Sequence, residues 1–540
     1  MADSPDTDEM NGAESLVRTL VGGGVAVSFT NPGTSEMQLV YEIGLTPGVR
    51  AILCLQENTA TGAADGYARM AGKPAFTLLH VGSGFANGIA NLHNAGRAGT
   101  AIVNIVGANA TYHQHNFPEH ELINGRIADL ARVVSHWVQE AKSASDLAVL
   151  GALAARHSRS GKICTVVAPT NCHWEPAVAP PMPLQPIPTP TTSPAAVKEI
   201  AALLTNGKRT ALLLGNRALY GEGLELAGCV AEKTGASLLA EVLVPRMARG
   251  EGSVPVQLIP YLREMAIPLL QPFEQLVLVG SLLPVTTFAY AGAPVVKVPA
   301  SCQVSTFATV DQDLAAALRD LAAAIGAPSQ PARRQSRSNS APPAGALNAD
   351  AIGQSLCALL PENAILVNEG ITLGLTIFQR THGARAHDYL DAGCGGAIGA
   401  GLPVALGAAV ACPTRKTVLL QGDGAGMYTV QALWSLAREK SNVVVVVLKN
   451  NQYAILEVEL ARVRECDAND KMQSMMHIDT PTLDWVKLAE GHGVPATRAT
   501  TAEQFHQQFE AALGSAGPHL IEAQVADDIR PLVDMVRRLR

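Results

Sequence analysis

With 540 residues the chain exceeds one ordinary domain, and at 48% hydrophobic, 16% charged and 48 glycines it reads as about three domains of soluble, well-buried α/β protein. A formal net charge of -7 with no large basic block argues against nucleic acid as a partner, and the basic cluster Arg537, Arg538 and Arg540 reads as a solvated helix end. No apolar run, Val443 to Leu448 included, approaches the length of a membrane span, and the acidic start MADSPDTDEMNG is unlike a secretory signal.

The nine cysteines, Cys466 among them, form no CxxC pair. Such a set points to reduced thiols in a cytoplasmic protein rather than to disulfides or zinc.

Taken in chain order, the first block opens with a turn at Asn31-Pro32-Gly33-Thr34. It continues through the apolar runs AFTLLH (Ala75 to His80) and TAIVNIVG (Thr100 to Gly107), with a Gly- and Ala-rich helix-like segment between them. The proline-dense stretch Pro176 to Pro194 suits neither helix nor central strand and is expected to run extended. A second break, Pro328 to Pro343, combines Pro, Ser and Arg and reads as a flexible linker. The breaks give three blocks, 1–175, 195–327 and 345–540, each expected to be a doubly wound α/β domain around a parallel sheet.

In the third block VNEGIT (Val367 to Thr372), TVLLQGDG (Thr417 to Gly424) and NVVVVVLKNN (Asn442 to Asn451) close apolar strands. Continuous β-branched runs are typical of parallel strands covered on both faces, where functional residues gather beyond the carboxyl ends. His80, Asp423 and Asn450 all fall at such ends.

GDG at Gly422-Asp423-Gly424 is followed by Asn450-Asn451, with Asn450 lying 27 residues (450 − 423) after the aspartate. One strand end presents a carboxylate, and the next parallel strand returns an amide oxygen beside it. That pair suits magnesium, which prefers oxygen ligands and completes its shell with phosphate and water. The glycines let the backbone approach a diphosphate.

With this spacing the third block resembles the cofactor-binding domain of the thiamine-diphosphate enzymes. The resemblance implies that Asp423, Asn450 and the Gln452 main-chain carbonyl bind Mg2+, with Asn451 the competing ligand. It puts Lys449 where the family has its first Asn, and Ala425 where the family often has Ser. Gly422, Gly424, Ala425, Thr372 and Tyr453 are implied on the diphosphate side. In GGAIGAGLPVALGAA (Gly395 to Ala409), Ile398 is implied as the apolar wedge behind the cofactor, and the Gly396 carbonyl as the acceptor of its amino group.

LQENTATGAADGYARMAGKPA (Leu55 to Ala75) resembles the family segment carrying the catalytic glutamate, here Glu57. Its carboxylic acid would hydrogen-bond the aminopyrimidine ring and favour the tautomer that forms the reactive carbon.

The general pattern resembles the acetolactate synthase large subunit, and the first block looks closer to benzoylformate decarboxylase. By that likeness His80, 23 residues (80 − 57) after Glu57, binds the substrate carboxylate or moves a proton, with Thr34 and His113 as weaker candidates. The second histidine of benzoylformate decarboxylase is replaced by Thr286, Thr287 and Phe288, and the Gly-x-Arg-Phe-Asp-Asp-Arg-like run that accompanies FAD is absent.

The implied activity is an acetolactate-synthase-like decarboxylase or carboligase acting on a 2-keto acid, with FAD not expected. The family also implies a homodimer or homotetramer with active sites between subunits. A benzoylformate-type decarboxylase and a non-catalytic homologue are the alternatives. A nicotinamide oxidoreductase is disfavoured, because the nearest G-x-G-x-x-G, at Gly82-Ser83-Gly84, has Asn87 in place of its third glycine.

Overall fold

The computed structural model describes residues 10–177, 184–185, 187–338, 341–463, 468–526 and 529–539; Cys466, Arg540, the first nine residues and part of the proline-dense stretch lie outside them. The apolar runs become strands because a segment such as Val443–Lys449, buried at every position, must satisfy its backbone within a sheet covered on both faces. Among the described residues they build three sheets.

In the first, β1 (Val27–Asn31), β2 (Arg50–Leu53), β3 (Ala75–Leu79), β4 (Ile102–Ala108), β5 (Trp137–Glu140) and β6 (Ile163–Pro169) run parallel in the order β2-β1-β3-β4-β6-β5. The second takes β7 (Thr210–Leu214), β8 (Ser237–Ala240), β10 (Gln257–Leu258), β11 (Gln275–Val279) and β12 (Gln303–Ala308). Between β8 and β10 the chain gives β9 (Met247–Arg249) to the third sheet instead. That sheet also contains β13 (Ala364–Glu369), β14 (His387–Asp391), β15 (Thr417–Gly422), β16 (Val443–Lys449), β17 (Ala496–Ala499) and β18 (His519–Gln524). The fold is α/β with mostly parallel sheets, β9 being antiparallel to β14 at the edge.

The chain divides into two compact units: one of 1–188, 393–414 and 429–441, the other of 189–392, 415–428 and 442–540. In the first, the helix Glu57–Ala71 packs on the helix Gly401–Ala411. The small residues foreseen in GGAIGAGLPVALGAA permit this: a Cβ on Gly407 would come within 1.9 Å of the Ala63 carbonyl oxygen, and one on Gly66 within 2.1 Å of the Val404 oxygen. The backbones approach too closely for any side chain.

In the second unit one apolar core serves both sheets, joining Leu212 and Val277 to Leu366, Val418 and Val446. Arg249 is buried on β9, where its guanidinium lies 3.5 Å over the Phe378 ring and donates to the Phe378 carbonyl and Thr381 hydroxyl. These contacts tie the edge strand to the helix Ile371–Arg380 and the turn after it. The stretch expected to be a flexible linker is pinned over 334–338. Arg334 forms a bidentate pair with Glu225, and Arg337 donates to the carbonyls of Cys357, Ala358 and Gly383. Arg337 thereby caps carbonyls left open at the end of the helix Ala349–Leu359, which composition alone does not reveal.

His387 on β14 sits opposite Arg249 and bonds the Arg385 carbonyl through Nδ1. Burial, aided by the Arg249 charge, lowers its pKa to about 4. An imidazole that folding keeps neutral stabilises the native state above its ordinary value of 6.5 and loses that contribution as pH falls towards about 4. The urea midpoint should therefore drop across this window, and His387→Leu should flatten the drop; an unchanged pH slope in the variant would refute the assignment.

Candidate functional site

The first unit brings Glu57 and His80 together. Glu57 opens its helix behind Gln56, whose side chain accepts the Thr59 N–H, and is 8% exposed. Its Oε2 accepts from Asn87 Nδ2 at 3.0 Å. His80 follows β3 directly and precedes Val81, which is held at φ 41°. A left-handed β-branched residue costs about 1–3 kcal/mol and persists only where its surroundings dictate it. Both side chains converge on Gly84: a Cβ there would lie 2.8 Å from Glu57 Oε1 and 3.2 Å from the His80 Cβ. The segment Gly82-Ser83-Gly84 thus lies in the helix Val81–Arg97, with its glycines serving close packing, rather than in a dinucleotide loop.

Glu36 belongs to no motif that the sequence singles out. Its carboxylate is fully buried beneath His80, with Oε2 2.7 Å from His80 Nδ1. Thr34 is exposed at the start of the same short turn, and His113 is exposed ahead of the turn Gln114–Asn116. The ring lying against His80 is that of His120, with centroids 5.0 Å apart.

The same unit shapes the loop ahead of Gly401. Asn94 accepts the N–H groups of Gly395 and Ala397 and donates to the Ala397 carbonyl at 2.8 Å, while His93 Nε2 bonds the Gly395 carbonyl. Gly396 sits at φ 84° with open space around it, and Ile398 is half-buried. Asn94 carried no sequence signal, because its partners lie about 300 residues away.

In the second unit β15 and β16 are parallel neighbours, with Gly422 opposite Leu448. Asp423 therefore emerges beside Asn450 and Asn451. The Asp423 carboxylate is 3% exposed and accepts the N–H groups of Gly424 and Asn451 at 2.9 and 2.7 Å. Burial pushes its carboxyl pKa up, against the lowering effect of these bonds and of the Lys449 charge. Ala425 is buried in the same turn, and the Tyr453 ring packs so closely on Gly424 that a Cβ there would meet it at 2.5 Å.

The segment 476–482 straps the loop. Tyr453 N–H bonds the Met476 carbonyl, Ile478 N–H bonds the Asn451 carbonyl, and Thr482 donates its hydroxyl to Asn451 Oδ1 at 2.8 Å. Among the described residues, Asn450 Oδ1 accepts from the nearby Gln452 N–H, at 3.2 Å. Lys449 is buried with its Nζ 3.4 Å from Glu522. Burial alone would raise the Glu522 carboxyl, but bonds from Arg498 and Gln524 hold it below its ordinary value. Thr372 is half-buried just after Ile371, another left-handed residue at φ 48° beyond a strand end.

A desolvated carboxylate with an amide oxygen close by, in a glycine-lined turn, fits a hard cation and a ligand that comes close to the backbone. Residues 10–139 match the family description "Thiamine pyrophosphate enzyme, N-terminal TPP binding domain", and 374–523 match its "C-terminal TPP binding domain". The chain is also 42% identical to the Mycobacterium tuberculosis protein named "Putative acetolactate synthase large subunit IlvX", over 96% of this chain and 99% of that one.

The chain belongs to the thiamine pyrophosphate enzyme family.

Within that family it is 27% identical to a benzoylformate decarboxylase of Pseudomonas aeruginosa, over 92% of this chain and 96% of the other. A Rhodococcus jostii RHA1 structure described as a thiamine diphosphate-dependent 4-hydroxybenzoylformate decarboxylase shares the fold, at TM-score 0.82 and 23% identity, covering 96% of this chain and 100% of that one. The two TPP binding domains hold the two residue sets described above: Glu57 and His80 in the first, Asp423 and Asn450 in the second.

Proposed function

We propose that this thiamine pyrophosphate enzyme is a magnesium-dependent 2-keto acid decarboxylase or carboligase of the acetolactate-synthase-like type. The observation that carries the reading is the bond from the Asn451 N–H to Asp423, which places the GDG carboxylate against the asparagine pair.

When bound, thiamine diphosphate supplies a nucleophilic carbon and an electron sink for cleaving the bond next to a 2-keto group. Asp423, Asn450 and the Gln452 carbonyl would hold the Mg2+ that binds the diphosphate. Asn450 is favoured over Asn451 because Asn451 Oδ1 already accepts the Thr482 hydroxyl. Gly422, Gly424, Ala425, Thr372 and Tyr453 would line the diphosphate side; Gly396 and Ile398, on the loop clamped by Asn94, would face the pyrimidine. Glu57 would keep a proton on the pyrimidine ring, and His80 would bind the substrate carboxylate or move a proton, with Thr34 and His113 at the periphery.

As in the family resemblance, Glu57 of one subunit would serve the cofactor held by another, so a homodimer or homotetramer is the working unit. The eight free cysteines among the described residues agree with a cytoplasmic setting, and no described helix is long and apolar enough to cross a membrane. FAD has no part in this reading.

The test is calorimetric titration of thiamine diphosphate into the apo-protein. Saturable binding should require Mg2+, and the loaded enzyme should release CO2 from pyruvate or benzoylformate. Turnover of benzoylformate alone would select the decarboxylase reading that the Pseudomonas relative favours. Absence of binding would leave a homologue that kept the fold without the chemistry.

A further inference from the structure

Three separate pieces of chain are built around the Glu36 carboxylate. Its Oε2 accepts the Gly33 N–H at 2.8 Å and meets His80 Nδ1 at 2.7 Å, while its Oε1 accepts the Ser35 hydroxyl at 2.6 Å. Gly33 and Gly107 leave room for the pair: a Cβ on Gly33 would fall 2.1 Å from His80 Nδ1, and one on Gly107 would fall 1.6 Å from Glu36 Oε1. Any other residue at either position would displace the ring or the acid. A fully buried carboxylate is costly unless it is paired. Its ion-pair partner among the described residues is His80.

We propose that Glu36 is a positioning residue that holds His80 as the Nδ1–H tautomer, leaving Nε2 as the nitrogen that binds substrate or exchanges a proton. A carboxylate only accepts, so the hydrogen between it and Nδ1 belongs to the imidazole. The opposite nitrogen is then a bare acceptor when the ring is neutral and a donor when it is charged. Among the described residues, the other titratable groups facing the pair are His120, packed edge-on to the ring, Glu57, across Gly84, and His173, on which the Glu36 charge acts. The inference rests on His80 having the role proposed above, but the tautomer itself can be measured without turnover.

Two-bond 15N–1H correlation spectra of 15N-histidine-labelled enzyme, with the His80 signals assigned by their loss in His80→Asn, should show His80 protonated on Nδ1 and bare on Nε2 at alkaline pH. In Glu36→Leu that preference should vanish. A wild-type ring protonated on Nε2, or a Glu36→Leu ring still protonated on Nδ1, overturns the proposal.

Should Glu36→Leu fail to fold, Glu36→Gln of the reconstituted enzyme provides the second reading with the keto acid it turns over. We expect kcat to fall about 10- to 100-fold with KM within about 3-fold. A kcat and KM both unmoved in Glu36→Gln overturn the proposal. Full turnover by His80→Asn, with the wild-type tautomer as expected, would remove His80 from the chemistry and leave its positioning by Glu36 intact.

Discussion

Asp423→Ala should abolish magnesium-dependent binding of thiamine diphosphate, weakening it by more than about 100-fold while leaving the fold intact. The side chain contributes little to the core: its carboxylate is desolvated, its pKa is pushed up by burial, and its bonds are to backbone N–H groups. A buried, charged acceptor of this kind is stabilised once a divalent cation arrives, and magnesium binds poorly without at least one carboxylate. Calorimetry on the apo-protein reads the loss directly, and a melting curve close to wild type separates it from unfolding.

The neighbouring asparagines sharpen the test. Asn450→Ala should weaken binding strongly. Asn451→Ala should loosen the strap at Thr482 and have the smaller effect on affinity. Retention of wild-type affinity by Asp423→Ala would remove the metal site from this position.

Glu57→Gln should keep cofactor affinity within a few-fold and lose turnover by about 100- to 10,000-fold, the range of positioned acid–base catalysis. Glutamine fills the same space beside Gly84, and its carbonyl can still accept from Asn87. What is lost is the ionisable proton that a carboxylic acid gives and takes back. Single-turnover measurements on a 2-keto acid, with binding followed in parallel, distinguish a chemical defect from a binding one. A variant with wild-type turnover would mean that the buried carboxylate at the helix start is structural, stabilised by the helix dipole alone.

Much of this molecule was legible in one dimension. The run Val443–Lys449 and the segment TVLLQGDG dictate adjacent buried strands, because continuous β-branched stretches can satisfy their backbones in few other ways. Strand ends then place Asp423, Asn450 and His80 where parallel sheets expose side chains, and the spacing of GDG to the asparagine pair carries the cofactor class. The small residues of Gly395 to Ala409 likewise announce a close backbone approach, although their partner, the Glu57 helix, does not show in the pattern.

What only the tertiary structure decided is which distant groups meet. Glu36 reaches His80 across 44 residues, Asn94 reaches Ala397 across 303, and Thr482 takes the oxygen of Asn451. A segment between β8 and β10 becomes the edge strand of another sheet, and Lys449 turns to Glu522. Periodicity and spacing record the burial and local geometry of each segment. They are silent on contacts whose partners come together only when separate strands and helices pack, because those contacts depend on topology and register rather than on neighbouring residues.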